Sequence, residues 1–366
     1  MVPNLARIPL PIIRPVRPGG CYPARCVDPY GLRRVISPPG VLPQRADRLD
    51  PDLPLGDDEL SVDAEALNID SASFRQIAET VGRDPARVAE EVLRIVRERG
   101  KMHNPVTGSG GMLIGRVREV GPRHPAADDL AVGDRIATLV SLTLTPLRID
   151  ELRGVHPDVE RIDVRGTAIL FATGLWARLP GDLPDELSLA ALDVCGAPAL
   201  VARHARPGAR VLVIGAGKSG ALVCAQAKES LAGSGEVVAA DLSEPALAGL
   251  RAIGVVDRTL SLDATRGVDA LHRVESAGGL FDLVVNCANV PNTELSSVLL
   301  VRDGGTVIYF SMATSFTAAA LGAEGVGKDA TLIIGNGYVP GHADLALGLL
   351  RRNPRLRAHF EARFVR

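Results

Sequence analysis

The sequence predicts a two-domain α/β protein, in which a sheet-rich amino-terminal domain precedes a doubly wound parallel sheet. Three observations carry this expectation. RVLVIGAGKSGALVCAQAKES, starting at Arg210, sets an apolar run before Gly215, Gly217 and Gly220 in GxGxxG spacing and a helix-forming stretch after them. From Ala190 onward, apolar runs alternate with helical stretches, as parallel strands joined by crossover helices do. Residues 112–149 alternate apolar and polar positions, as strands with one covered face do.

Taken in chain order, the residues ahead of Asp70 are rich in proline and aspartate and read as loops around a small sheet, with short candidate strands in RRVISP and GVLPQRADRL. Two helices follow. The first has Asp70 or Ser71 as its N-cap. The second has Asp84 as cap and Pro85 in its first turn, so that a side-chain oxygen meets backbone N–H groups left open at the helix start. In that second helix Val88, Val92, Ile95 and Val96 fall on one face and Gly100 closes it.

The glycine motif has its required context on both sides, an apolar strand over Arg210 to Ile214 and a helix behind. Gly215 permits the tight turn, Gly217 lets the backbone approach a pyrophosphate, and Gly220 allows close packing of the helix, whose amino terminus attracts phosphate. Lys218 and Ser219 lie in the same loop and join the candidate cofactor contacts. The next strand, EVVAA, ends at Asp241. A carboxylate there accepts hydrogen bonds from ribose hydroxyls and repels a 2′-phosphate, which predicts NAD rather than NADP. FDLVVNCAN, GGTVIYFSM and ATLIIGNGY supply further strands, whose ends place Ala288, Ser311 and Asn336 toward a nicotinamide crevice. Tyr338 and His342 lie just beyond.

Bulk properties narrow the partners. The chain has 366 residues, enough for two cores, and its net charge of −2 gives no electrostatic reason to expect nucleic acid or an anionic membrane. No apolar run reaches membrane-spanning length, and MVPNLARIPLPIIRPVRPGG lacks the uninterrupted apolar core of a secretory signal, so the cytoplasm is expected. Cys21, Cys26, Cys195, Cys224 and Cys287 form an odd, scattered set, expected as reduced thiols without a structural zinc.

GRVREVG, AVGDRI, a linking helix and the GAGKSG segment together resemble the medium-chain dehydrogenase superfamily, which implies a GroES-like substrate domain beside a Rossmann domain. Within it, GCYPARCVDPYGLRRVISPPGVLPQRADRLD, KMHNPVTGSGGMLIGRV, YFSMATSFTAAALGAEGVGKDATLIIGNGY and GHAD are similar to the 3,5-diaminohexanoate dehydrogenase family over nearly the whole chain. The CYPARCVDPYG segment departs from the family by a slight expansion around its cysteines. The resemblance implies NAD-dependent oxidation at the carbon bearing the 3-amino group, with release of ammonia to give 5-amino-3-oxohexanoate, a diamino acid substrate, and a homodimer, the commonest closed assembly. It also implies a substrate domain over 1–172, a Rossmann domain over 173–340, and a segment 341–366 returning to the substrate domain, with hydride transfer in the cleft between the domains.

Zinc members of the superfamily bind metal through a cysteine, a histidine and a second cysteine. Gly111 stands where the resemblance places the histidine, Cys195 resembles the last cysteine, and the first falls near the apolar helix around Val88. One ligand of three makes a catalytic zinc an unsuitable expectation. An alcohol needs a metal because a hydroxyl is a very weak acid. An alkylammonium, with a pKa of about 10 like lysine, needs only a modest base to expose its lone pair.

Lys101 and His103 open the loop beside the lost metal position and are the candidate catalytic residues. Lysine is rare here, confined to Lys101, Lys218, Lys228 and Lys328. It can release a proton where arginine cannot. The plainer reading of Lys101 is a solvated cation at a helix end. Asn104, Thr107 and Ser109 are candidates for substrate polar groups, although TGSGG also reads as a simple turn. Glu324 and Lys328 are candidates for the second amine and the carboxylate. Cys195 joins the substrate-binding candidates and equally reads as a buried packing residue. Two other functions fit the same fingerprint: a zinc-independent reductase of an enone or quinone, which Asp241 disfavours, and a dinucleotide-binding protein without catalysis.

Overall fold

The computed structural model describes residues 28–311, 313–335 and 338–365, so Cys21, Cys26 and Asn336 lie outside the described residues. The chain divides into two compact units between Asp182 and Leu183.

In the first unit a short strand β1 (Val35–Ser37) pairs antiparallel with β2 (Arg48–Leu49). RRVISP therefore supplies a strand. GVLPQRADRL is mostly turn, because the Leu42 carbonyl takes the amides of both Arg45 and Ala46. There follow β3 (Glu59–Asn68), α1 (Ser71–Val81), α2 (Pro85–Arg99), β4 (Met112–Val120), β5 (Arg135–Thr138), β6 (Leu147–His156), β7 (Arg161–Phe171) and β8 (Trp176–Arg178). β3 and the five strands after it share one antiparallel sheet of order β6-β7-β3-β4-β5-β8. Along β3, Leu60, Val62 and Ala64 are buried in the core, while Asp63 pairs with Arg118 and Glu65 with Arg116 and Arg135. This is the alternation that a sheet with one covered face demands.

Both helices of this unit begin and end where their residues dictate. Asp70 Oδ1 accepts from the Ser73 amide at 3.0 Å and Gly82 closes α1 at φ 83°. Asp84 accepts from the Ala86 amide, Pro85 fills the first turn of α2, and Gly100 ends it at φ 64°. Val88, Val92, Ile95 and Val96 are buried in the sheet's core.

One buried ion pair ties the loop ahead of β3 to the sheet. Arg34, fully buried, donates from Nε and Nη2 to the two oxygens of Glu59, each at 2.7 Å, and from Nη1 and Nη2 to the carbonyls of Asp50 and Leu53. Arg33 and the Gly56 amide add further bonds to the same carboxylate. Burial alone would raise the Glu59 carboxyl, but the hydrogen bonds from Arg34, Arg33 and Gly56 outweigh it and hold its pKa at about 2.

The second unit contains α3 (Asp185–Leu192), α4 (Gly196–His204), β9 (Arg210–Ile214), α5 (Lys218–Leu231), β10 (Glu236–Asp241), α6 (Glu244–Ile253), β11 (Arg258–Ser261), α7 (Gly267–Ser276), β12 (Phe281–Asn286), α8 (Glu294–Leu300), β13 (Val301–Tyr309), α9 (Phe316–Gly325), β14 (Ala330–Ile334), α10 (His342–Arg352) and α11 (Pro354–Phe364). Its strands are parallel in the order β11-β10-β9-β12-β13-β14. The order reverses between β9 and β12, which opens a crevice at their carboxyl ends. No helix among the described residues is long and apolar enough to cross a membrane.

Two expected boundaries shift. The first unit runs to Asp182 rather than to residue 172, because β8 pairs with β5. The carboxyl-terminal segment does not return to the sheet-rich unit: α10 packs on α3, α4 and α5, and α11 on α3 and α6.

Replacing Glu59 by Gln leaves the buried Arg34 guanidinium without its counter-charge and is expected to lower unfolding free energy by roughly 3–5 kcal/mol in urea titrations. Breaking the exposed Arg94–Glu98 pair is expected to change it by about 1 kcal/mol or less. Because the folded pKa of Glu59 lies below its ordinary value of 4.5, its contribution is present above that value and is lost as pH falls toward about 2. The Gln variant should lack that part of the acid profile.

Candidate active site

In the second unit the sequence Gly215–Gly220 turns the end of β9 into α5 over the crevice. Gly215 has φ 99°, and a β-carbon there would lie 2.9 Å from the Ala288 amide nitrogen at the end of β12. At Gly220 an added β-carbon would lie 1.9 Å from the Gly215 carbonyl oxygen, whereas nothing stands within 4 Å of that position at Gly217. The three glycines therefore provide turn, open approach and close packing, in the order that a bound pyrophosphate at a helix amino terminus requires. Asp241, at the end of β10, accepts from the Ala216 amide at 2.7 Å and the Ser243 amide at 2.8 Å, one on each oxygen. Each oxygen keeps a lone pair for a ribose hydroxyl.

The other expected cofactor contacts are placed as follows. Ser219 is half-buried in the first turn of α5. Lys218 pairs with Asp193 and stacks over the Phe364 ring at 5.9 Å, so its charge is engaged within the protein. Ala288 donates its amide to Asn286 Oδ1, and Ser311 Oγ accepts from the Ala313 amide. These residues fit a nicotinamide dinucleotide.

The first unit carries a second concentration of polar groups, on the loop after α2. Lys101 is fully buried, with Nζ donating to the carbonyl oxygens of Pro43 at 2.7 Å and Gln44 at 3.2 Å. Burial, with the nearby Arg99 charge, pushes its pKa down to about 8, against the opposing effect of Asp47. His103 is half-buried, 3.4 Å from Arg99 Nη1 through Nδ1. Burial and the charges of Lys101 and Arg99 push its pKa down to about 4, so it is neutral at pH 7. Arg99 can only donate, so Nδ1 accepts and the proton resides on Nε2.

Asn104 is buried and occupied: Nδ2 donates to Gln76 Oε1, Oδ1 accepts from the Val106 amide, and its backbone closes the loop to Ser109 and Gly108. Thr107 and Ser109 meet Ser73 in a ring of three hydroxyls, at 2.5, 2.8 and 3.0 Å. Asp70, whose Oδ1 caps α1, keeps Oδ2 buried with no hydrogen-bond partner. Sequence reasoning singled out Asp70 only as a helix cap and missed Ser73, Arg45 and Arg99; their part in the loop depends on contacts across the chain that no local spacing encodes.

Gly110 and Gly111 end this loop against other backbone. A β-carbon at Gly111, where φ is 108°, would lie 2.1 Å from the Asn68 carbonyl oxygen and 2.9 Å from the Asp70 amide nitrogen. The backbone facing this position thus belongs to Asn68–Asp70 and not to the α2 region around Val88, which is buried in the core. Among the described residues, no three His, Cys, Asp or Glu side chains come together in a way that could hold a metal. Cys195 is buried at the start of α4, and burial, then the Asp193 charge, pushes its thiol up to about 12. Glu324 is exposed on α9 and Lys328 half-buried after it. Tyr338 meets His342 edge to face at 5.5 Å, and His342 is buried at the start of α10.

The profile of the L-erythro-3,5-diaminohexanoate dehydrogenase N-terminal domain matches residues 33–180. The chain is 50% identical to the L-erythro-3,5-diaminohexanoate dehydrogenase of Acetoanaerobium sticklandii, over 92% of this chain and 98% of that protein. It is 49% identical to the enzyme of the same name from Fusobacterium nucleatum, over 90% and 97%. Among solved structures it resembles an alcohol dehydrogenase of Thermotoga maritima, with a TM-score of 0.51 at 18% identity over 84% of this chain and 85% of that one, a likeness of fold.

The crowding at Gly111 makes a direct expectation. Gly111→Ala should fail to accumulate as folded protein or lose several kcal/mol in thermal denaturation, since the new methyl meets backbone on a left-handed residue. Gly181→Ala, where nothing lies within 4 Å, should fold normally.

Proposed function

The chain belongs to the L-erythro-3,5-diaminohexanoate dehydrogenase family, and we propose from that membership that it catalyses NAD-dependent oxidative deamination of L-erythro-3,5-diaminohexanoate, releasing ammonia and 5-amino-3-oxohexanoate. The observation that carries this reading is the half identity to two such enzymes over nearly their whole length. The balance is simple: the carbon bearing the 3-ammonium loses hydride and the nitrogen loses a proton, water adds to the resulting iminium, and ammonia leaves. NAD, when bound, supplies the acceptor for the hydride. Everything else falls to the chain's own side chains.

Gly215, Gly217, Ser219, Gly220 and Asp241 hold the dinucleotide, and the free lone pairs on Asp241 favour a ribose with both hydroxyls over a 2′-phosphate. His103, neutral and half-buried, accepts the proton from the substrate ammonium at Nδ1 as that nitrogen gives up its 3.4 Å contact with Arg99. Lys101 acts through position: its bonds to Pro43 and Gln44 hold the turn that carries Arg45 and Asp47 beside His103. At the far end of the same loop, Asp70 Oδ2 and the hydroxyls of Ser73, Thr107 and Ser109 offer acceptors that suit an ammonium group. A zinc of the alcohol dehydrogenase kind does not fit. The site of its histidine is closed by backbone at Gly111, and Cys195 is held as the neutral thiol. An amine does not require one, because its nitrogen becomes a donor on losing a proton.

The same reading places the enzyme in the cytoplasm as a homodimer. The dimer is supported by β14, which among the described residues is an edge strand paired with β13 alone and whose Ile334 is 47% exposed.

Purified protein with NAD is expected to generate reduced nicotinamide, followed by absorbance, when given the diamino acid, and none with a simple alcohol or without substrate. Equal rates with alcohols would overturn the assignment. Asp241→Ala should raise KM for NAD and lower KM for NADP, each by roughly tenfold, the size of one charge-assisted hydrogen bond.

A further inference from the structure

We propose that Arg45 and Arg99, grouped around His103, form the site that receives the substrate's carboxylate; this rests on the reading of a 3-amino acid as substrate. The convergence begins at Gly100. Its left-handed backbone ends α2 and turns the chain so that Lys101 runs inward while His103 comes back against Arg99. Lys101 then fixes the carbonyls of Pro43 and Gln44, and the turn so held carries Arg45 and Asp47 close enough for their charges to act on His103. Two separate chain segments thus converge on one imidazole.

The charges at this convergence do not balance. Arg45, Arg99 and Lys101 all act on His103 against Asp47, and Arg99 Nη1 stands 3.4 Å from the histidine's Nδ1. Among the described residues neither Arg45 nor Arg99 is in an ion pair, and Arg99, half-buried, keeps its guanidinium against the imidazole. Two guanidinium groups beside a neutral half-buried histidine make a place for an anion, and guanidinium groups favour a planar carboxylate, while Lys101 Nζ is already bonded to two carbonyls. In a 3-amino acid the carboxylate and the amine-bearing carbon are separated by a single methylene. A base beside the carboxylate site is therefore beside the reacting amine. The bound carboxylate would offset Arg99 and Lys101 and raise the basicity of His103, so that the substrate itself prepares the group that deprotonates it.

The test uses the full-length protein and a probe without the second amine. 3-Aminobutanoate and its carboxamide are titrated separately while the His103 imidazole is followed by nitrogen-15 NMR. The acid, and not the amide, should move the His103 titration to higher pH, and Arg99→Met should remove that response while raising KM for the diamino acid by roughly tenfold with KM for NAD unchanged. Arg45→Met, on an exposed turn, provides the same test should Arg99→Met fail to fold. No response to the acid, or an equal response to the amide, overturns the proposal and leaves the cations as complements of the α2 dipole. A carboxylate response in a protein that does not oxidise the diamino acid supports the anion site and removes the substrate assignment instead.

Discussion

No side chain can stand at position 111, because a β-carbon there would lie 2.1 Å from the Asn68 carbonyl oxygen. The chemistry read for the site follows from this contact. At this position, where the resemblance to zinc dehydrogenases places a ligand, two backbone segments meet. What remains next to the contact is a set of acceptors: the unpartnered oxygen of Asp70 and the hydroxyls of Ser73, Thr107 and Ser109. Acceptors suit a group that arrives with protons, as an ammonium does.

The loop from Lys101 to Gly111 joins that acceptor end to a cationic end. Burial of Lys101, with the nearby Arg99 charge, lowers its pKa to about 8, while its bonds to two backbone carbonyls anchor the turn opposite. Burial, and after it the neighbouring cations, keeps His103 unprotonated at neutral pH. A loop with donors at one end and acceptors at the other is complementary to a zwitterion.

Much of the architecture was legible in the residues. The glycine spacing, the apolar strand before it and Asp241 after it specified the nucleotide crevice, because each is a local requirement of backbone conformation or charge. The caps of α1 and α2 at Asp70, Asp84 and Gly100 were readable for the same reason. The loop chemistry was only half readable. Lys101 and His103 stood out by residue type, but the burial of Lys101 and the arrival of Arg45 are long-range events with no periodic signature. Asn104 looked free and is instead tied into the loop's own hydrogen bonds. The domain limits misled because β8 pairs across the sheet with β5, and because the amphipathic face of α10 says that it packs without saying on what.

In the proposed reaction nitrogen's own lone pair does the work that a bound metal does for an alcohol. Turnover of the diamino acid should be measured on protein whose metal content is determined by elemental analysis before and after dialysis against a chelator. The account predicts undiminished kcat at metal contents far below one per chain; stoichiometric zinc whose removal abolishes turnover, and whose return restores it, would contradict it.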